Sequence, residues 1–313
     1  MNCSQGFSLD YIYVIAGLIG LFFGGEALVR GSVGTARRLS IPPLLIGLTV
    51  VGFGTSTPEL LVSVQAALRG VPDIVVGNIV GSNIANILLI VGLTSLVWPI
   101  RVLGSTLRRD TAVMVAAAIA LVPIFVMGEI GRLSGGFLVI GLAGYLTWAY
   151  IQPGAAIDDD SDTSVPTSIL VSALWVLIGL VVLMFGAQFL VEGSVSVARD
   201  FDVSEAFIGL TIVAVGTSLP ELATSIIAAF RRQSEIAIGN IVGSNIFNVL
   251  GILGVTALIK PVPVADRFLT FDLPIMIAVS LALTAALLTQ PVIGRIIGVV
   301  ALVAYFAYVW LAQ

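Results

Sequence analysis

The chain has 313 residues, 58% of them hydrophobic and 10% charged, with 18 acidic and 14 basic side chains and a mean hydropathy of +1.12. Soluble proteins carry about 25% charged residues, so a water-facing surface could not be covered here, and the composition specifies an all-α integral membrane protein. The net charge of −4 offers no basic face to nucleic acid. The absence of histidine excludes imidazole-dependent hydrolysis, and the single cysteine, Cys3, allows neither an intrachain disulfide nor a thiolate metal cluster.

Met1 to Asp10 lacks the positive n-region of a cleaved signal, so the first apolar span is expected to be retained. Windows long enough to cross a bilayer fall at 11–30, 43–68, 74–98, 111–128, 134–151, 168–191, 206–230, 236–259, 272–289 and 293–312. These runs are continuously apolar and show none of the period-two alternation of a barrel strand. Ten transmembrane helices are expected, called spans 1 to 10 below.

A repeat organises them. Gly77-Asn78-Ile79-Val80-Gly81-Ser82-Asn83-Ile84 returns unchanged as Gly239-Asn240-Ile241-Val242-Gly243-Ser244-Asn245-Ile246, an offset of 239 − 77 = 162. The same offset relates Gly17 to Gly179, Gly24 to Gly186, Gly31 to Gly193, Glu59 to Glu221 and Asp110 to Asp272. Chance coincidence of small apolar residues does not produce an eight-residue identity in constant register. The expected organisation is a five-helix repeat over 1–151, a linker over 152–167 and a second five-helix repeat over 168–313.

Five is odd, so the second repeat enters the membrane inverted. The charges agree: loops after odd-numbered spans hold Arg30, Arg37, Arg38, Arg101, Arg108, Arg109, Arg231, Arg232 and Arg295, whereas the other side holds only Arg69, Arg132, Arg199, Lys260 and Arg267. The positive-inside rule therefore puts the odd loops in the cytoplasm and both termini outside a cell membrane. The linker aspartates Asp158, Asp160 and Asp162 have the start of a calcium-loop spacing. Thr163 and Ile169 stand where such a loop needs glycine and glutamate, so a solvated linker is the better account.

Two polar blocks interrupt the apolar spans. Gly54-Thr55-Ser56-Thr57-Pro58-Glu59 lies in span 2 and Gly216-Thr217-Ser218-Leu219-Pro220-Glu221 in span 7. An acid at mid-membrane costs roughly 2.5–3.5 kcal/mol on insertion scales and by default marks a functional site. The alternative, a protonated or arginine-paired structural glutamate, finds no basic residue nearby in either span. Thr55 and Ser56 stand four and three residues before Glu59, on its helix face, and Thr217 and Ser218 repeat this before Glu221. Pro58 and Pro220 withhold an amide and disturb the carbonyl four residues back, which exposes backbone oxygen or simply kinks the helix.

In spans 3 and 8, Asn78, Ser82 and Asn86 form one polar stripe and Asn240, Ser244 and Asn248 its partner. The glycines at 77, 81, 239 and 243 offer tight helix contact; interhelical hydrogen bonding is the plainer account of the stripes, but their register with a carboxylate block favours a site. Glu26, four residues before Arg30, reads as a local ion pair near the cytoplasmic end. The assembled donors are all oxygen, as hard cations require; no sulfur or imidazole is at hand for zinc or copper.

The paired G-T-S-x-P-E and G-N-x-x-G-S-N motifs, with the repeat covering nearly the whole chain, resemble the cation/Ca²⁺ antiporter superfamily and specifically its sodium/calcium exchanger branch. The resemblance implies ion binding between spans 2, 3, 7 and 8, with spans 1 and 6 sliding across that core. It implies Glu59 and Glu221 as Ca²⁺ ligands that also serve Na⁺, with Thr55, Ser56, Thr217 and Ser218 adding oxygens. Ser82, Ser244, Asn86 and Asn248 complete the Na⁺ and central positions, and backbone carbonyls are expected from Gly52 and Ala214. Relatives dependent on K⁺ carry aspartate at the position of Asn248, so K⁺ independence is expected here.

The function expected is therefore electrogenic Na⁺/Ca²⁺ antiport by alternating access, with Ca²⁺ and Na⁺ as substrates, no cofactor and no obligate protein partner. The rivals are a Ca²⁺/H⁺ antiporter using the same glutamates, a cation channel and, more remotely, an intramembrane enzyme.

Overall fold

The computed structural model describes residues 3–102, 106–152, 168–201 and 214–312. In chain order the helices are α1 (Cys3–Leu39), α2 (Pro43–Thr55), α3 (Thr57–Arg69), α4 (Pro72–Val97), α5 (Thr106–Val126), α6 (Arg132–Ile151), α7 (Ile169–Asp200), α8 (Leu219–Phe230), α9 (Ser234–Ile259), α10 (Phe268–Thr289) and α11 (Arg295–Leu311). Seven are each long and apolar enough to cross a membrane, and α2 with α3, bent by 44°, makes an eighth. Two further apolar helices among the described residues, α8 and α11, are shorter. The linker aspartates and residues 206–213 of the expected span 7 lie outside the described residues.

Two boundaries differ from the sequence expectation. Helix α1 ends at Leu39 rather than near residue 30, and α7 ends at Asp200 rather than near 191. A hydropathy window stops at the first charges, but a helix does not. Arg37 and Arg38 occupy the last turn of α1 and Arg199 that of α7, where a positive charge meets the negative end of the helix dipole.

These two long helices pack antiparallel through glycine. A Cβ added to Gly17 would lie 2.5 Å from Leu190 N, one on Gly24 2.7 Å from Leu183 N, and one on Gly179 2.5 Å from Leu28 N. Backbone thus meets backbone along the seam, the contact that small residues permit when no hydrophobic force distinguishes protein from lipid. The inner helices are α4 and α9, whose central windows are 78% and 83% buried, against 28% for α7.

The helices carry one addition not expected from sequence: two antiparallel pairs of two-residue strands. Ile100–Arg101 pairs with Val292–Ile293, and Glu129–Ile130 pairs with Val262–Pro263. Each pair joins one repeat to the other, and the two pairs exchange under the repeat relation. Helix packing follows the same rule, α6 against the end of α9 and α11 against the end of α4. The pairs also group the loops by side, since residues after spans 3 and 9 meet at one end and those after spans 4 and 8 at the other.

Candidate functional site

The polar blocks create two matching helix breaks. Ser56 (φ −82°, ψ 10°) separates α2 from α3, and Ser218 (φ −87°, ψ 6°) precedes α8. Pro58 and Pro220 each sit at the first turn of the helix that follows, where a missing amide costs nothing. Glu59 and Glu221 consequently occupy first turns. A carboxylate there is favoured by the positive end of the helix dipole and the unsatisfied amides. This explains how the fold tolerates buried glutamates without a base: each is 1% exposed, and neither forms an ion pair among the described residues.

The breaks then brace each other. Ser56 Oγ donates to Glu221 Oε1 at 2.8 Å, and Ser218 Oγ donates to Glu59 Oε1 at 3.3 Å. Thr217 stands near Glu59, and Thr55 and Ser244 stand near Glu221; Thr55 Oγ1 itself donates to Val51 O at 3.0 Å and to Asn240 Oδ1 at 3.1 Å. Ser218 Oγ stands 3.5 Å from Ser82 Oγ, and Ser244 Oγ donates to Gly52 O at 3.2 Å. One cluster therefore contains both glutamates, Thr55, Ser56, Thr217, Ser218, Ser82, Ser244 and the Gly52 carbonyl, drawn from spans 2, 3, 7 and 8. The Gly52 carbonyl also takes the Ser56 amide. Ala214 opens a short helical turn, Ala214–Gly216.

Asn86 and Asn248 sit one turn beyond the serines, each 1% exposed, where α4 and α9 widen into π-helical turns at Asn86–Ile90 and Phe247–Leu253. Such turns inside α-helices concentrate at functional sites. The oxygens left without a donor are informative. Glu59 Oε2, Glu221 Oε2, Asn86 Oδ1, Asn245 Oδ1 and Asn248 Oδ1 are all buried and unpartnered. Buried acceptors normally find a donor. Five orphan acceptors on these helices, two of them on carboxylates, suit positive charge and are hostile to an anion.

Asn78 and Asn240 do other work. Asn78 Nδ2 donates to Glu59 O and Ser63 Oγ, at 3.1 and 2.9 Å, and Asn240 Nδ2 donates to Glu221 O and Ser225 Oγ, at 3.2 and 2.9 Å. The first residue of each stripe thus ties span 3 to 2 and span 8 to 7, and Ser82 and Ser244, one turn on, join the glutamate cluster. Gly239 and Gly243 pack tightly, their added Cβ atoms falling 2.7 Å from Leu44 O and 2.3 Å from Leu48 O, but Gly77 and Gly81 do not: a Cβ on Gly77 would meet only the Phe268 ring, at 3.7 Å, and one on Gly81 nothing within 4 Å.

Sequence reasoning missed several members. Ser63 and Ser225 lie outside both motifs, although they match at the repeat offset (225 − 63 = 162). Asn83 and Asn245 sit inside the repeated octet, where spacing gives them no distinct role. Glu26 does pair with Arg30, but it also accepts two bonds from Arg231, at 2.9 and 2.6 Å, which bind α1 to the end of α8. No spacing rule reveals a partner 205 residues away.

A family-wide sequence profile described as "Sodium/calcium exchanger protein" matches residues 9–151 and 171–312. The chain is 35% identical over 312 residues to the inner membrane protein YrbG of Escherichia coli K12, covering 96% of this chain and 95% of that one. It is 31% identical to the sodium/calcium exchanger MaX1 of Methanosarcina acetivorans, covering 96% and 97%. Among solved structures, the sodium-calcium exchanger NCX_Mj soaked with zero Na⁺ and Ca²⁺ superposes with a TM-score of 0.84 at 32% identity, over 96% of this chain and 97% of that one. Two halves matched by one profile, and a shared helical membrane fold over almost the full length, place this chain in the sodium/calcium exchanger protein family, whose members are membrane transporters.

Proposed function

We propose that this chain is an antiporter that exchanges Na⁺ for Ca²⁺ across a cell membrane by alternating access. The observation that carries it is the reciprocal glutamate pair: Glu59 and Glu221, each braced by a serine of the opposite repeat, each with one carboxylate oxygen buried and unpartnered. Two carboxylates neutralise one Ca²⁺ or two Na⁺, so the ions compete for one site, and a site occupied in turn from either side is an exchanger rather than a pore. Thr55, Ser56, Thr217, Ser218, Ser82, Ser244, Asn86 and Asn248 are the proposed neutral ligands, with the Gly52 and Ala214 carbonyls. This surplus of neutral oxygens favours a third Na⁺ and hence net charge movement. An amide instead of an acid at Asn248 favours independence from K⁺.

The proposal includes ten spans in two inverted repeats, 1–151 and 168–313, with both termini extracytoplasmic. The reciprocal strand pairs and the arginine bias of the odd loops support this arrangement. It is tested by ⁴⁵Ca²⁺ uptake into proteoliposomes loaded with Na⁺, the pH gradient collapsed by ionophore. Uptake that depends on the Na⁺ gradient, is unchanged by K⁺ and responds to membrane voltage is expected. Uptake that ignores Na⁺ and needs a pH gradient would assign the same glutamates to proton exchange. Ca²⁺ passage without any counter-ion would make the protein a channel.

A further inference from the structure

Asn83 lies in the repeated octet, is 3% exposed, and belongs to none of the proposed ligands. Its amide group nonetheless has only one admissible orientation. Asn83 Nδ2 faces the backbone carbonyl of Asn245 at 3.3 Å and the sulfur of Met276 at 3.6 Å. Both neighbours are acceptors, so turning the amide over would set Asn83 Oδ1 against a carbonyl oxygen and a thioether in a buried space. With Nδ2 so committed, Oδ1 points the other way, where it accepts Asn248 Nδ2 at 3.0 Å. That bond in turn commits the amide of Asn248. Its nitrogen is spent on Asn83, and its oxygen is the buried, unpartnered acceptor noted above.

We infer that Asn83 is a positioning residue: anchored by the Asn245 carbonyl, it fixes the polarity of the Asn248 amide so that oxygen rather than NH₂ is presented to the transported ions. The inference rests on the exchange function proposed above and adds a residue to it. An amide needs such a relay because its two ends look alike in shape and are opposite in charge. A carboxylate at the same position would not, since both its ends are oxygen. The relay is one-sided among the described residues. Asn245, the repeat equivalent of Asn83, donates to Ile241 O within its own helix at 2.9 Å, so the two halves of a duplicated site differ in how their asparagines are held.

The test measures ⁴⁵Ca²⁺ binding to the purified full-length protein and its displacement by Na⁺, for Asn83→Leu, Asn248→Asp and the double variant. Leucine keeps the branching and heavy-atom count of asparagine and cannot orient an amide. Asn83→Leu should raise the half-saturating Ca²⁺ concentration by roughly five- to tenfold, the loss of about one cation–oxygen contact. In the Asn248→Asp background the same Asn83→Leu change should have no effect within twofold, because aspartate shows oxygen whichever way it turns. An unchanged half-saturating Ca²⁺ concentration in Asn83→Leu, or an equal shift in both backgrounds, would overturn the inference, the latter pointing to general packing. If Asn83→Leu does not yield a monodisperse protein, Asn83→Ala removes the same amide without bulk and carries the same expectations. A wild-type protein whose bound ⁴⁵Ca²⁺ is not displaced by Na⁺ would overturn the exchange proposal instead. The half-saturating Ca²⁺ concentration still tests Asn83 in that case, with a rise expected only where residue 248 is asparagine.

Discussion

Substituting Gly243 by alanine perturbs the frame of the site without touching a proposed ligand. The added Cβ would fall 2.3 Å from Leu48 O and 2.6 Å from Leu48 Cα. Neither atom is the far end of a side chain that can rotate away, so α9 and α2 must separate by about 1 Å to restore ordinary contact, at an overpacking cost of roughly 1–3 kcal/mol. The adjacent Ser244 Oγ–Gly52 O bond, now 3.2 Å, crosses the same seam and would stretch beyond bonding distance. Gly243→Ala is thus expected to lower the Tm of the purified protein by about 3–8 °C and to depress Na⁺-dependent ⁴⁵Ca²⁺ uptake by an order of magnitude or more. Gly141→Ala provides the contrast, since its Cβ would meet only Leu250 Cδ2, at 3.9 Å, and it should keep wild-type stability and rate. Gly243→Ala with unaltered Tm and uptake would refute the claim that the α2–α9 seam sets the position of Ser244.

Other perturbations have definite expected outcomes. Ser56→Ala leaves Glu221 Oε1 without its 2.8 Å donor, and Ser218→Ala leaves Glu59 Oε1 without its 3.3 Å donor. Each should raise the half-saturating Ca²⁺ concentration in a binding assay by about tenfold, the shorter bond costing more. Asn78→Ala strips a donor shared by Glu59 O and Ser63 Oγ, so a loss of about 1–3 kcal/mol in stability is expected, read as a fall in Tm. Glu26→Gln removes the charge held between Arg30 and Arg231. Because the pair is partly exposed, a stability change below about 1 kcal/mol is expected, checked by the same thermal scan.

The sequence showed most of the fold because duplication and hydropathy are both local signals. The apolar windows match most of the described helices, and the constant offset of 162 pairs Glu59 with Glu221, the two glutamates that the structure brings into one cluster. What it could not show was who faces whom. Asn78 and Ser82 are indistinguishable in a helical stripe, yet the first anchors a neighbouring helix and the second joins the cluster, a difference decided by the 3.1 Å approach of Glu59 O. The crossed bracing of each glutamate by the opposite serine is equally invisible, because it depends on how the repeats pack. Asn83 was overlooked because its contribution lies in the direction of an amide, which spacing does not encode. The helix ends failed for a simpler reason: charged residues end a hydropathy window while stabilising the last turn of the helix beneath it.

The central claim is that Glu59 and Glu221 form one cation site shared by the two ions. Na⁺-driven ⁴⁵Ca²⁺ uptake into proteoliposomes by Glu59→Gln and Glu221→Gln, each first shown to be folded by its melting curve, tests it most directly. Both substitutions keep the side-chain shape and remove half of the site's charge, so uptake should fall to the level of empty liposomes in each. Wild-type uptake in either folded variant would contradict the account.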